Sequence, residues 1–322
     1  MDSEPFPWPS SLSPLFPTTL PVVANILEQG EEGRAWLAKL PSAVEQLREL
    51  WQLRLGAPIH GGSCSWVAPV WLPDGASAIL KVAWPHREAA GEAEALKIWD
   101  GRGAVKVLRD DPSRCALLIE RCEPGDPLSE AHGLSVAERL HIAAEILAQL
   151  WSAQVPERTG LEHVGAYTAA LADVAEERMD RLRPGFDPGL VALGTRLLRE
   201  LPSTAERKVV VHGDINPGNI LRARREPWLA IDAKSMVGDP CYDPWPLLSQ
   251  IDDPFVLPEP LPVLAERFGL ISEVVGESVQ RLAAWAMARE LDWALWSVEH
   301  AASPIAFGSI DKVRAFAQLA EL

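Results

Sequence analysis

The sequence predicts an α+β fold in two lobes, a small β-rich lobe followed by a larger and mainly helical one, on three observations. From Leu53 to Cys122 the chain is a series of short pieces rich in β-branched and aromatic residues, separated by Gly and Pro. After "EPGDPL" the apolar residues return every three or four positions, the period of a helix face. Within that helical part sits one β-rich insert that opens on "VVVHGDINPGNIL", residues 209 to 221. The 322 residues suffice for about two units of roughly 150 residues each. Hydrophobic residues at 48% and charged residues at 23% are ordinary globular usage and argue against a disordered or fibrous chain. The changes of pattern divide the chain into 1–52, an arm with leading helices, 53–122, the small lobe, and 123–322, the large lobe.

Residues 1–21 carry six prolines among Ser, Phe and Trp and are predicted as an extended arm that packs through Phe6, Trp8 and Phe16. "SAVEQLRELW" offers Ser42 and Glu45 as a capping box, with Val44, Leu47, Leu50 and Trp51 on one helix face. Five strands follow, "LRLGAPI", "SWVAPVWL", "SAILKVAW", "AVKVL" and "CALLIE", with a hairpin turn at "PDG" (73–75). A helix in "PHREAAGEAEALKIWDG", stopped by Gly101, separates the third strand from the fourth. In the large lobe Ser135 and Glu138 form a second capping box before "RLHIAAEILAQLW", and further helices are predicted near 166–183, 187–201, 275–299 and 309–320.

The chemistry concentrates in the insert. Val209 to Val211 read as a buried strand that breaks into a loop of Gly, Asp, Asn and Pro, and "WLAID" reads as a second strand that delivers Asp232 at its end. Each of these polar residues alone is an ordinary turn former. Together, Asp214 can accept a proton from a substrate hydroxyl while Asn219, five residues on, and Asp232, eighteen residues on, hold magnesium, a hard cation that takes oxygen ligands and phosphate partners. His212 reads as a loop anchor rather than a base.

In the small lobe Lys81 lies among apolar neighbours and needs either an exposed strand edge or an acidic partner. The following helix offers Glu92 and Glu94, and Glu92 is the better placed because it shares a face with Leu96. In "HGGSCSW", Gly61, Gly62 and Ser63 form either a loop whose N–H groups face phosphate oxygens or a plain Gly-Gly turn. Lys234 either reaches a phosphate or forms a surface pair. Asp239 and Asp243 in "GDPCYD" read as buried acceptors that brace the catalytic loop or as contacts for a substrate amine, with bracing favoured for Asp243. The late segment "AAWAMARELDWALWSVEH" puts Trp285, Arg289, Trp293 and Trp296 near one helix face, with Asp292 beside them. That face is either a substrate wall or a core contact in which Arg289 pairs with an acid.

A balance of 30 Lys and Arg against 45 Asp and Glu gives a formal charge of −15, which disfavours a nucleic-acid partner, permits a cationic ligand and also aids solubility. The cysteines, Cys64, Cys115, Cys122 and Cys241, lack zinc spacing and are expected as reduced thiols. The first basic residue is Arg34, so the signal-peptide pattern is missing, and no apolar run approaches the ~18 residues of a membrane span. A cytoplasmic protein without a membrane partner is expected. The sequence carries no signal for an oligomeric state.

Through "GEAEALKIWDGRGAVKVL", "LLIERCEPGDPL", "HGDINPGNIL" and "AIDAKSMVGDPCYD" the chain resembles, over about residues 50–300, the aminoglycoside phosphotransferase family of the protein-kinase-like superfamily. Within it the likeness is to the streptomycin 6-kinase and hydroxyurea phosphotransferase branch. The resemblance implies a protein-kinase-like fold that uses ATP and magnesium. It implies that Lys81 contacts the α- and β-phosphates with Glu92 behind it, that Asp214 is the catalytic base and that Asn219 and Asp232 hold magnesium. Glu120 to Cys122 would be the hinge, with backbone groups meeting adenine. The implied acceptor is a hydroxyl of a small cationic molecule, an aminoglycoside of the streptomycin type, in antibiotic resistance. The alternatives are a metabolic kinase for a sugar, amino sugar or amino alcohol, and a non-catalytic nucleotide-binding module. Retention of Lys81, Asp214, Asn219 and Asp232 speaks against the last.

Overall fold

In the computed structural model the described residues are 14–300 and 303–322, without the side chains of 303–307. Phe6 and Trp8 therefore lie outside the described residues. Phe16 is buried and stacks on Trp66 with ring centroids 5.5 Å apart. The arm ends sooner than its prolines suggest, because Pro21 opens helix α1 (Pro21–Leu27) at a position whose N–H a helix does not use.

Helix α2 (Gly30–Leu50) corrects the expected capping box. Ser42 does not start a helix but sits within one, its hydroxyl accepting from Gln46 Nε2 at 3.2 Å, while Glu45 pairs with Arg48 at 2.6 Å. The helix runs through Pro41 because Leu37, Leu40, Val44 and Leu47 form one buried stripe across it. Burial contributes about 1.5–3 kcal/mol for each such side chain, against about 3 kcal/mol for an interior proline, so packing prevails over propensity.

The small lobe is an antiparallel sheet in the order β1-β2-β3-β5-β4, formed by β1 (Arg54–Leu55), β2 (Ser65–Trp71), β3 (Ser77–Ala83), β4 (Val107–Asp111) and β5 (Ala116–Glu120). Only the first two residues of "RLGAPI" hold strand geometry. The fourth strand lies three residues later than "AVKVL" suggests, since β4 is fixed by its register on β5. Ala104 instead bridges to Ala230 of the large lobe. Residues alternate across the pleat. Trp66, Ala68, Val70, Leu80 and Val82 face α1 and α2 in one buried cluster, which leaves Val67, Ile79 and Lys81 for the face toward the large lobe.

Helix α3 (Glu92–Trp99) crosses behind β3 and ends in the left-handed Asp100 and Gly101. The large lobe carries α4 (Val136–Trp151), with both halves of the expected capping box, then α5 (Val164–Leu182) and α6 (Pro188–Glu200). The insert folds as β7 (Val209–Val211) followed by the hairpin β8 (Ile220–Arg222) and β9 (Trp228–Ala230). Strand β10 (Met236–Gly238) pairs antiparallel with β7 and parallel with β6 (Glu162–His163), which the sequence did not disclose. Beyond it come α7 (Trp245–Gln250), α8 (Pro260–Val275), α9 (Val279–His300) and α10 (Ser303–Leu319). Helices α7 and α8 were not among the expected elements; Pro246 and Pro260 sit in their first turns, where proline is tolerated. The fold is α+β and two-lobed, a sheet-bearing lobe on a mostly helical one. Among the described residues no helix is long and apolar enough to cross a membrane.

Candidate active site

Lys81 reaches its position because β3 carries it on the inner face while α3 packs behind. Its ammonium lies 2.7 and 2.6 Å from the two Glu92 oxygens and 2.6 Å from Asp232 Oδ1. Burial alone would depress Lys81, but the charges of Glu92 and Asp232 overcome it and hold the ammonium above its ordinary value. Asp232 in turn is held below the usual carboxylate range, chiefly by the Lys81 charge. Glu94 does not compete for the lysine. Its carboxylate accepts from Thr159 Oγ1 at 2.5 Å and from Gly160 N at 2.9 Å, tying α3 to the large lobe.

The loop that carries Asp214 is set by its backbone. Gly213 sits at φ +83° against Lys234, where a Cβ would meet the Lys234 carbonyl oxygen at 2.1 Å, so only glycine fits. Asp243 is fully buried and accepts from His212 N at 2.9 Å, Gly213 N at 2.7 Å and Trp151 Nε1 at 3.1 Å. His212 shares Nε2 with the Ile231 carbonyl at 3.0 Å and Nδ1 with Asp214 N at 3.3 Å, and stacks on Trp99. This pairing assigns the proton to Nε2, and burial lowers the His212 value, so the ring stays neutral and anchors the loop. Asn219 donates its amide to the Asp214 carbonyl at 3.0 Å. Its carboxamide oxygen is left for a cation, in the same cleft as Asp232. Among the described residues no three His, Cys, Asp or Glu side chains gather into a metal cage. One carboxylate and one amide oxygen suit magnesium, which completes its shell with water and phosphate oxygens.

Two cavities meet at this loop. The larger, about 650 Å³, lies between the lobes and is lined by Gly61, Gly62, Ser63, Lys81, Glu92, Glu120, Cys122, Asn219 and Asp232. Its apolar walls, Val67 and Ile79 above and Leu221 and Ile231 below, suit a flat ring, and were missed because single apolar residues carry no spacing signal. A Cβ at Gly62 would come within 2.3 Å of the Ser65 carbonyl, so this loop needs its glycine. Glu120 turns its carboxylate to Arg225 at 2.9 Å, and Arg225 also bonds the carbonyls of Gly101 and Ala104, pinning the link between the lobes. Here Cys122 is buried, and burial with the Glu120 charge pushes its thiol up to about 12.

The smaller cavity, about 270 Å³, opens beside Asp214 and is lined by Arg87, Glu88, Glu162, Tyr167, Lys234, Tyr242 and Arg289. Asp239 and Asp243 do not line it. Asp239 is buried and accepts from Arg281 at 2.5 Å, Trp285 Nε1 at 2.6 Å and Cys241 N at 3.0 Å, so the reading of either aspartate as an amine contact is corrected to bracing. The late aromatic face divides as well. Trp285 is fully buried, whereas Trp293 is 43% and Trp296 37% exposed, stacked at 4.9 Å. Among the described residues Arg289 forms an ion pair with no acid but donates to the carbonyls of Tyr242 at 2.9 Å and Gly213 at 3.3 Å, over the Tyr242 and Trp245 rings. Asp292 pairs with Arg178 at 3.5 Å and burial pushes its carboxyl up to about 6.

The family model described as "Aminoglycoside/hydroxyurea antibiotic resistance kinase" matches residues 50–301. A streptomycin 6-kinase of Streptomyces glaucescens is 35% identical over 84% of this chain and 87% of its own length. A hydroxyurea phosphotransferase of Kitasatospora aureofaciens is also 35% identical, over 84% of this chain and 76% of its own length. Among solved structures, a choline/ethanolamine kinase family protein from Mesorhizobium loti superposes with a TM-score of 0.58 at 16% identity, over 86% of this chain and 95% of that one. That likeness establishes the protein-kinase-like fold.

Proposed function

The chain belongs to the aminoglycoside/hydroxyurea antibiotic resistance kinase family, and from that premise we propose that it transfers the γ-phosphoryl group of ATP to a hydroxyl of a streptomycin-type aminoglycoside. The observation that carries this reading is the meeting of two cavities, one headed by the Lys81, Glu92 and Asp232 charges, the other by Asp214. In this reading ATP enters between the lobes, its adenine between Val67, Ile79, Leu221 and Ile231 and its phosphates at Lys81 and the Gly61–Ser63 loop. Asn219 and Asp232 hold magnesium, which neutralises phosphate charge when bound.

The acceptor hydroxyl enters the smaller cavity, where Asp214 takes its proton. At about 270 Å³ that cavity lies just under the ~300–1,000 Å³ usual for drug-sized ligands, so it accommodates one ring and leaves the rest of an aminoglycoside outside. Arg289 lies in the cavity wall and Trp293, one turn further along α9, continues outward as an exposed aromatic face for that remainder. Three cations, Arg87, Lys234 and Arg289, balance three carboxylates, Glu88, Glu162 and Asp214, in the lining. Recognition of a cationic acceptor then rests on individual carboxylates rather than on an acidic cavity.

The hydroxyurea reading has its own support in the equal 35% identity of that relative. Incubating the protein with ATP, magnesium and an equimolar panel of streptomycin, hydroxyurea, choline and a neutral sugar, then weighing the products, tests both. Streptomycin heavier by one phosphoryl group is the expected result. Exclusive phosphorylation of hydroxyurea selects the second reading, and ATP-dependent modification of the neutral sugar alone overturns both.

A further inference from the structure

Lys234 is a side chain to which the roles above give no step, and its placement is specific. Its Nζ lies 3.3 Å from Asp214 Oδ2 and 3.2 Å from Glu88 Oε2, and both Lys234 and Glu88 line the two cavities at once. The backbone beneath it is fixed. Lys234 N donates to the His212 carbonyl at 2.8 Å, and the Lys234 carbonyl is the group against which Gly213 closes. Glu88 comes from the other lobe, and Tyr167 donates to it at 3.3 Å. An ion pair as exposed as this one contributes little to stability, so the pairing does not by itself account for a cation held at the junction. A phosphoryl group that passes from the nucleotide cavity to a hydroxyl beside Asp214 must cross that junction.

We propose that Lys234 is a further catalytic residue, a cation that contacts the γ-phosphoryl oxygens during transfer, with Glu88 as the residue that positions it. The proposal rests on the phosphoryl transfer proposed above. In the step, the acceptor oxygen forms its bond to the γ-phosphorus as its proton passes to Asp214. The bond from the γ-phosphorus to the bridging oxygen breaks, and ADP leaves with the electron pair. Charge spreads over the three equatorial oxygens in the transition state, and a fixed cation there acts more strongly than on the ground state. Lys81 addresses the phosphates from the nucleotide side and Lys234 from the acceptor side.

The test uses Lys234→Met, Lys234→Arg and Glu88→Gln in the full chain, with ADP and with ADP plus magnesium and aluminium fluoride as a mimic of the transferring group. Neither ligand requires that the acceptor be known, so this arm stands apart from the identity of the acceptor. Lys234→Met is expected to bind ADP within about 3-fold of wild type but to lose about 10²–10³-fold in affinity for the mimic, the range for one transition-state donor. kcat with the acceptor found above should fall in parallel while both KM values stay within a few-fold. Lys234→Arg should restore part of the mimic affinity, and Glu88→Gln should weaken it by less than Lys234→Met. Unchanged mimic affinity in Lys234→Met, or a rise in acceptor KM with kcat intact, overturns the proposal. If wild-type protein binds the mimic yet phosphorylates nothing in the panel, the acceptor assignment fails and the role of Lys234 stands.

Discussion

The proposed nucleotide cleft and the proposed acceptor pocket share the loop that carries Asp214 but are built in opposite ways. The cleft is assembled from short local motifs: one strand carries Lys81, the next helix carries Glu92, and a single insert carries Asn219 and Asp232. Its geometry follows from pleat and helix periods. The acceptor pocket draws Arg87, Glu162, Tyr167, Lys234 and Arg289 from separate segments, and five of the six charged groups in its lining are paired with each other, Arg87 with Glu162 and Lys234 with Glu88 and Asp214. A common chemistry can be written locally, whereas acceptor recognition here is a tertiary product. Changes in the cleft should therefore act on ATP or on chemistry, and changes in the pocket on the acceptor.

The largest expected effect lies where the two regions meet. Asp214→Asn keeps the loop, since Asp243 and His212 hold its backbone, and should lower kcat by about 10²–10⁴ with nucleotide affinity retained. Stopped or steady-state assays alongside a thermal melt check this, and normal turnover in the folded variant removes Asp214 from the role of base.

Next come the cleft residues. Lys81→Met should cost about 10- to 100-fold in kcat/KM for ATP, the worth of charged hydrogen bonds to phosphate, and Glu92→Gln less, because Glu92 acts only through the lysine. Glu94→Gln sharpens the comparison. It unties α3 from Thr159 and Gly160, at the edge of the acceptor pocket, so it should leave the ATP KM alone and raise that of the acceptor. An ATP defect in Glu94→Gln larger than in Glu92→Gln would show that α3 serves the cleft as one rigid piece.

These contrasts show what the sequence could convey. Apolar neighbours marked Lys81, helix spacing marked Glu92, and the run "WLAI" marked the strand that stops at Ala230, two residues before Asp232, because each of these signals lies within a single element. The sequence did not reveal that Ser42 lies inside a helix, since a buried stripe on both sides of Pro41 is a tertiary fact. Nor did it reveal α8, whose prolines are harmless in a first turn. Arg225, Glu88 and Arg289 take their roles from partners tens of residues away, at separations that no local pattern encodes. Asp239 was legible as a loop aspartate, but only its contacts with Arg281 and Trp285 identify it as a brace.

On the acceptor side Arg289→Lys should reduce kcat/KM for the acceptor by about 10-fold with the ATP KM unchanged. One ammonium cannot hold the Gly213 and Tyr242 carbonyls and stack on two rings at once, and small displacements of a positioned base are costly. An equal loss in the ATP KM would mean that the pocket wall and the cleft are not separable.

The smallest effect on activity, and the cleanest separation of architecture from chemistry, is expected at Glu290. It follows Arg289 on α9 but turns inward, 2% exposed, and accepts from Trp245 Nε1 at 2.9 Å, the ring over which Arg289 lies. Burial pushes its carboxyl up to about 7, against the opposing pull of Lys312 and of the Trp245 hydrogen bond. Because the folded value lies above the ordinary one, the native state keeps a proton that the unfolded chain has released between about pH 4.5 and 7. Stability from this group therefore falls as pH rises through that window, by about 2–4 kcal/mol in total, and stays at the lower level above it. Glu290→Gln preserves an acceptor for Trp245 and carries no charge. It should melt at nearly the wild-type temperature at pH 5 and several degrees higher at pH 8, with kcat and both KM values unchanged. An identical pH dependence of melting in the two proteins would mean that Glu290 is ionised throughout. A rise in acceptor KM as large as that of Arg289→Lys would extend the acceptor wall through Trp245 into the core of the large lobe, and the boundary drawn here between pocket and scaffold would have to move inward by one layer.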